Sequence, residues 1–193
     1  MLENQMMLLA VFERAALMLM TLFLLTRTRP FQRLFQKRDH TPAELVLVAA
    51  IFCLFAVFST YTGIPVEGAL INVRIIAIIS GGILFGPWVG IPAGVISGLH
   101  RYLIDMDGHT SIPCLIASII AGLLATWLHL RCRKSRLWLY GILAGMACEG
   151  LTMLLIWQLT EPHAVGVEIV SHIAYPMIAG ALCIGLIIKL VQD

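Results

Sequence analysis

Charge is scarce in this sequence. Only 12% of its 193 residues are Asp, Glu, Lys or Arg, while 60% are hydrophobic. Soluble domains are about a quarter charged. This composition, with a mean hydropathy of +0.92, excludes a soluble helical bundle and indicates an integral membrane protein. Metal-ligand spacing is missing too. The five cysteines, Cys53, Cys114, Cys132, Cys148 and Cys183, fall in or beside apolar runs, so neither a disulfide framework nor a zinc site is expected. No nucleophile–base pair or metal cluster is evident, which argues against an enzyme within this stretch. There is no low-complexity tract, and residues 1–193 read as a single domain. The first apolar run, from about Met6, lacks a basic lead and a small-residue cleavage site; it is expected to be a retained helix, not a cleaved signal.

What is present is a series of apolar segments, at about 6–26, 43–62, 71–86, 88–104, 111–130, 137–160 and 167–191. Helix is the expectation for each, because backbone polar groups in lipid must be satisfied within the segment. The predicted fold is therefore all-α: a polytopic transmembrane helical bundle of about seven membrane segments. Residues 27–42, 63–70, 105–110, 131–136 and 161–166 are the linkers.

The chain is organised around 71–104. Glycine recurs there every fourth residue, at Gly82, Gly86, Gly90, Gly94 and Gly98, and Pro87 divides the stretch. Two short helices, 72–86 and 88–104, are expected to form a hairpin about Gly86-Pro87. At 1.5 Å per residue they reach only about 22–26 Å, against a hydrocarbon core of about 30 Å. Two thin crossings are the favoured reading, and a re-entrant hairpin with five other crossings has the same parity.

Basic residues set the orientation. Arg27, Arg29, Arg33, Lys37 and Arg38 lie in one linker, Arg131, Arg133, Lys134 and Arg136 in another, and Lys189 near the end. These should be cytoplasmic, with the N-terminus outside and the C-terminus inside. Glu3, Glu67, Asp105, Asp107, Glu161 and Glu168 then populate the outer side. Of thirteen basic residues only Arg14, Arg74 and Arg101 remain, all within apolar segments. An intramembrane arginine costs about 2.5–3.5 kcal/mol on insertion scales, so each is a functional-site candidate.

This topology brings Arg74, Arg101 and Cys114 to one level beneath the outer surface. Arg101 shares a helix face with Gly94 and Gly98, and Cys114 heads a small-residue stripe through Ala117, Ser118, Ala121, Gly122 and Ala125. A guanidinium pair there would hold a small carboxylate through charge-assisted hydrogen bonds. Asn72, His100, Tyr102, Ser118 and His172 are the candidate lining groups. The alternative is structural: each arginine pairs with an acid such as Glu67, Asp105 or Glu149, or snorkels to the headgroups. Cys114 alone signals little, since a free cysteine in an apolar helix is usually a small hydrophobe. Glu149, on a small-residue face, is expected to bridge to Arg14 in a structural or coupling role. Pro176 should kink the last helix, which leads to the cytoplasmic end.

NVR at 72–74, GGILFGPWVG at 81–90, GLHRY at 98–102, IPC at 112–114, CEGLTM at 148–153 and the ER pair at 13–14 together resemble the membrane sensor domain of LytS-type bacterial sensor histidine kinases. Within that family the sequence is most similar to the YpdA branch of pyruvate-responsive sensors, next to the YehU/BtsS branch. The resemblance implies a receptor that binds pyruvate or a similar small carboxylate from the extracytoplasmic side, through Arg74, Arg101 and Cys114. A family serine three residues after the cysteine is replaced here by Ala117; Ser118 follows, rotated by about 100°. The resemblance also implies a bacterial inner-membrane location, a homodimer, and GAF-like and kinase modules downstream. Through these an ATP-dependent protein histidine kinase would act on a cognate response regulator. Neither a cofactor nor a nucleic-acid partner is expected for this chain.

The chief rival comes from GPWVGIPAGVISG, which also resembles the substrate-binding membrane subunits of energy-coupling-factor vitamin transporters; one architecture can serve both uses. A purely structural anchor is the second rival. Flux separates sensor from transporter: in liposomes the purified chain should bind pyruvate and not carry it, and ligand-dependent uptake of labelled pyruvate would favour the transporter.

Overall fold

The computed structural model describes residues 2–27, 34, 37, 40–66, 69–133 and 136–192. Glu67, Arg29, Arg33, Arg38 and Lys134, which entered the sequence reading as acid partner or orientation signals, lie outside the described residues. Each apolar run forms helix: α1 (Leu2–Arg27), α2 (Pro42–Tyr61), α3 (Arg74–Phe85), α4 (Pro87–Ile104), α5 (Ser111–Arg131), α6 (Leu137–Leu159), α7 (His163–Gly180) and α8 (Leu182–Gln192). The stretch read as a linker at 63–70 is more ordered than expected. Strands β1 (Ile64–Val66) and β2 (Ala69–Ile71) pair antiparallel, with Ile64 opposite Ile71 and Pro65 opposite Leu70. Apart from this short pairing the architecture is helical, as expected.

Local chemistry explains the helix boundaries. At α2, the Thr41 side chain accepts from the Glu44 N–H, and the Glu44 carboxylate accepts from the Thr41 N–H at 2.7 Å. This capping box, followed by Pro42 in the first turn, satisfies donors that a helix start leaves free. Helix α3 is shorter than the sequence suggests. Its first N–H, on Arg74, is held by Asn72 Oδ1 at 3.2 Å, so Asn72 and Val73 form the entry turn. It stops at Gly86, whose φ of 77° is costly for any residue with a Cβ. His129 Nδ1 faces the Ile83 carbonyl at 2.8 Å. A carbonyl only accepts, so that nitrogen carries the proton and caps one of the helix's last free acceptors.

Helix α3 is the centre of the bundle. Eleven of its twelve residues are buried, and it packs on α2, α4, α5, α6 and α8. Twelve residues reach only about 18 Å, well short of a hydrocarbon core of about 30 Å. The helical stretches long and apolar enough to cross a membrane among the described residues are Pro42–Tyr61, Ser111–Arg131, Leu137–Leu159 and His163–Val191. Length alone thus does not support the count of seven.

The glycine pattern brings α3, α4 and α5 together backbone to backbone. A Cβ on Gly90 would lie 2.7 Å from the Gly82 Cα, one on Gly94 2.5 Å from the Ser118 carbonyl oxygen, and one on Gly122 2.5 Å from the Gly90 carbonyl oxygen. No side-chain rearrangement relieves a clash with backbone, and small residues are what permit such approach in membrane helices. Gly122→Ala should therefore destabilise the fold by about 1–3 kcal/mol, read as a lower thermal midpoint in detergent. Gly150→Ala, where an added Cβ meets nothing within 4 Å, should leave the midpoint unchanged or slightly raised.

Candidate functional site: two buried guanidiniums at the start of a helix

Arg74 is the first residue of α3, and Arg101 sits in the last turn of α4. Both lie inside the protein, at 2% and 0% exposure. Arg74 Nη2 donates to the Cys114 carbonyl at 3.4 Å. Arg101 Nη2 donates to Thr110 Oγ1 at 3.0 Å, and its Nη1 to Ser111 Oγ at 3.4 Å. The two side chains, from different helices, thus converge on the first turn of α5. The tight α4–α5 packing at Gly94 and Gly98 explains the direction of Arg101, which lies on that glycine face. The starts of α3 and α5 add their own positive dipole ends to the two cations.

The arginines are not equally satisfied. Among the described residues, Arg74 Nε and Nη1 are buried without a partner, as is Arg101 Nε. Arg101 has an acid: Asp105 Oδ2 accepts from Nη2 at 3.2 Å and from Nη1 at 3.3 Å. Arg74 has none within hydrogen-bond distance among the described residues. A buried guanidinium with donors unspent is costly, and convergent donors of this kind suit a bidentate anion.

The other expected residues take several roles. Asn72 anchors the approach to α3, with Oδ1 on the Arg74 N–H and Nδ2 donating to the Leu70 carbonyl at 3.4 Å. Cys114 is buried, and its carbonyl accepts from both Arg74 and Ser118 Oγ, the latter at 2.6 Å. The Ser118 hydroxyl is therefore turned to its own helix. His100 packs edge-on to Tyr61 at 5.0 Å between ring centroids, its Nδ1 buried without a partner among the described residues, within electrostatic reach of Arg74. Tyr102 is half-buried. His172 Nδ1 lies 2.9 Å from the Glu168 carbonyl of its own helix and does not join the group. Thr110 and Ser111 were missed. A Thr-Ser pair opening an apolar run is a helix-start signal, and it was available in the sequence.

The expected Arg14–Glu149 bridge is absent among the described residues. Among the described residues Glu149 is 3% exposed with Oε2 unpartnered, and it lies within electrostatic reach of Arg74. Arg14, half-buried, lines a cleft with Glu13, Phe55, Ser59 and Val73. The reason is packing: α1 and α6 both rest on α7 and α8 rather than on each other, and Arg14 lies in a cleft against α2. Pro176 is buried within α7, and the helical run is interrupted at Ala181, between α7 and α8, rather than at the proline itself.

Comparison with known proteins gives a consistent family. The family model described as 5TMR of 5TMR-LYT matches residues 28–193. The chain is 59% identical over 187 residues to the sensor histidine kinase YpdA of Escherichia coli K12, covering 97% of this chain and 33% of that protein. It is 30% identical to the sensor protein LytS of Bacillus subtilis 168, covering 87% of this chain and 31% of that protein. With the sensor histidine kinase BtsS of Escherichia coli K12 it shares 31% identity, covering 88% and 31%. The chain thus spans about a third of the length of these relatives. No solved structure matches it.

Coupling energies test the contacts of Glu149. A double-mutant cycle of Arg74→Ala with Glu149→Gln should show an interaction of about 1 kcal/mol in thermal unfolding, and a cycle of Arg14→Ala with Glu149→Gln close to zero. The opposite pattern would restore the Arg14 bridge.

Proposed function

The chain belongs to the 5TMR-LYT family as a membrane sensor domain of the LytS type, and on that premise we propose that it binds pyruvate or a similar small carboxylate through Arg74 and Arg101. The observation that carries this reading is the convergence of two fully buried guanidiniums, with Arg74 Nε and Nη1 unspent among the described residues, on the first turn of α5. A carboxylate offers two oxygens to such donors and offsets a charge that burial otherwise makes expensive. Cys114, Ser118 and His100 supply the neighbouring wall. Ala117, three residues after Cys114, adds no hydroxyl to it.

The proposed topology has five crossings, by α1, α2, α5, α6 and the α7–α8 run, with α3–α4 as a re-entrant hairpin from outside. It leaves the N-terminus outside, the basic linkers 27–42 and 131–136 inside, and the C-terminus cytoplasmic. The arginine site then faces the extracytoplasmic side of a bacterial inner membrane. In the whole protein, occupancy would pass along α7–α8 to an ATP-dependent kinase region, acting as a homodimer on a response regulator. A second reading has one specific observation behind it. Asp105 gives Arg101 a protein partner, so Arg101 is then a structural residue.

Isothermal titration of the purified chain with sodium pyruvate tests the site. Arg74→Ala and Arg101→Ala should each weaken binding at least about tenfold, the loss expected for a charge-assisted hydrogen bond, with helical content retained. Unchanged affinity in both variants would remove the site, and loss of stability without any pyruvate binding in the parent would favour the structural reading.

A further inference from the structure

Asp105 is the acid bonded to Arg101, and its placement is unusual. It is the C-cap residue of α4, where the negative end of the helix dipole disfavours a carboxylate. Its side chain is 42% exposed, while that of Arg101 is 0% exposed. A single oxygen, Oδ2, takes both guanidinium nitrogens, so the pair lacks the two parallel bonds of a fork-to-fork arrangement. The contact is therefore a weak hold on a cation that is otherwise buried.

The loop carrying Asp105 is folded over the arginine. The Gly108 N–H donates to the Asp105 carbonyl at 3.2 Å, and the Ser111 N–H to the Gly108 carbonyl at 3.0 Å. Ser111 Oγ donates to the same Asp105 carbonyl and accepts from Arg101. A side chain at Gly108 would collide with the Asp105 carboxylate, so glycine is what lets the loop lie against it. Thr160 Oγ1, just after α6, donates to the His109 carbonyl at 3.4 Å, and ties the loop to the end of α6.

We propose that Asp105 is a built-in competitor for the ligand: its carboxylate and that of the bound anion contend for the same Arg101 nitrogens. The inference rests on the reading of Arg74 and Arg101 as a carboxylate site. Two like charges cannot share one guanidinium without repulsion. Asp105, already near water, is the one that leaves. Its departure frees Nη1 and Nη2 for the ligand and loosens the loop 105–110. Asp105 thus sets affinity, holding it below what the two arginines alone would give. It also makes occupancy of the site legible at Thr160 and the end of α6.

Titration with sodium pyruvate of the parent chain, Asp105→Asn, Asp105→Glu and Arg101→Ala tests this. Asp105→Asn should bind about fivefold more tightly, the upper end for a half-exposed ion pair. Asp105→Glu, which keeps the charge, should stay within about twofold of the parent. A merely structural aspartate would give weaker binding on removal, so the sign discriminates. If the parent binds, Arg101→Ala does not, and Asp105→Asn is no tighter, the competitor is overturned while the site stands. If pyruvate fails to bind the parent, or binds Arg101→Ala equally well, the carboxylate-site reading itself fails. Should Asp105→Asn not fold, hydrogen exchange in the parent decides: saturating pyruvate should speed exchange of the Gly108 and Ser111 amides, and slowing there would overturn the proposal.

Discussion

Burying a guanidinium in a membrane protein is expensive, and this protein does it twice within a few residues of one helix start. Nearly every local feature near the site serves that constraint. Asn72 fixes the first turn of α3 so that Arg74 enters the core at a defined point. Thr110, Ser111 and the Cys114 carbonyl supply acceptors. Asp105 supplies a counter-charge from the edge of the water. Among the described residues, acceptors for some donors are still lacking on both arginines, and that residual demand is what gives the site its chemistry.

The glycine packing is the means by which this is possible. An arginine on α4 reaches the first turn of α5 because Gly90, Gly94 and Gly122 let the two backbones touch. The same packing closes protein around α3, so that a helix too short to cross the bilayer is not exposed to lipid. His129 and the φ of Gly86 finish the far end of that helix. A short helix enclosed by its neighbours places its N-terminus, and with it Arg74, beneath the surface of the molecule rather than at it.

Much of this was legible in the sequence. The helical segments follow from apolar length, and Arg74, Arg101 and Cys114 stand out because charge and small-residue stripes are rare enough to be read. The glycine period indicated the face that carries Arg101. What was not legible involves partners chosen by packing. Arg14 and Glu149 were natural partners by depth, yet α1 and α6 pack on α7 and α8 rather than on each other. The β1–β2 pairing in a Gly/Pro linker has too few residues to announce itself by alternation.

The sequence by itself determined the solvent, the helical class and the identity of the intramembrane cations, because these depend on composition and on periodicity along one chain. Only the tertiary structure decided how much of α3 survives as helix and which acceptors each guanidinium meets. It also decided that Asp105, not a more distant acid, answers Arg101. Those outcomes depend on distances between segments far apart in sequence, and a pattern read along one chain does not contain them.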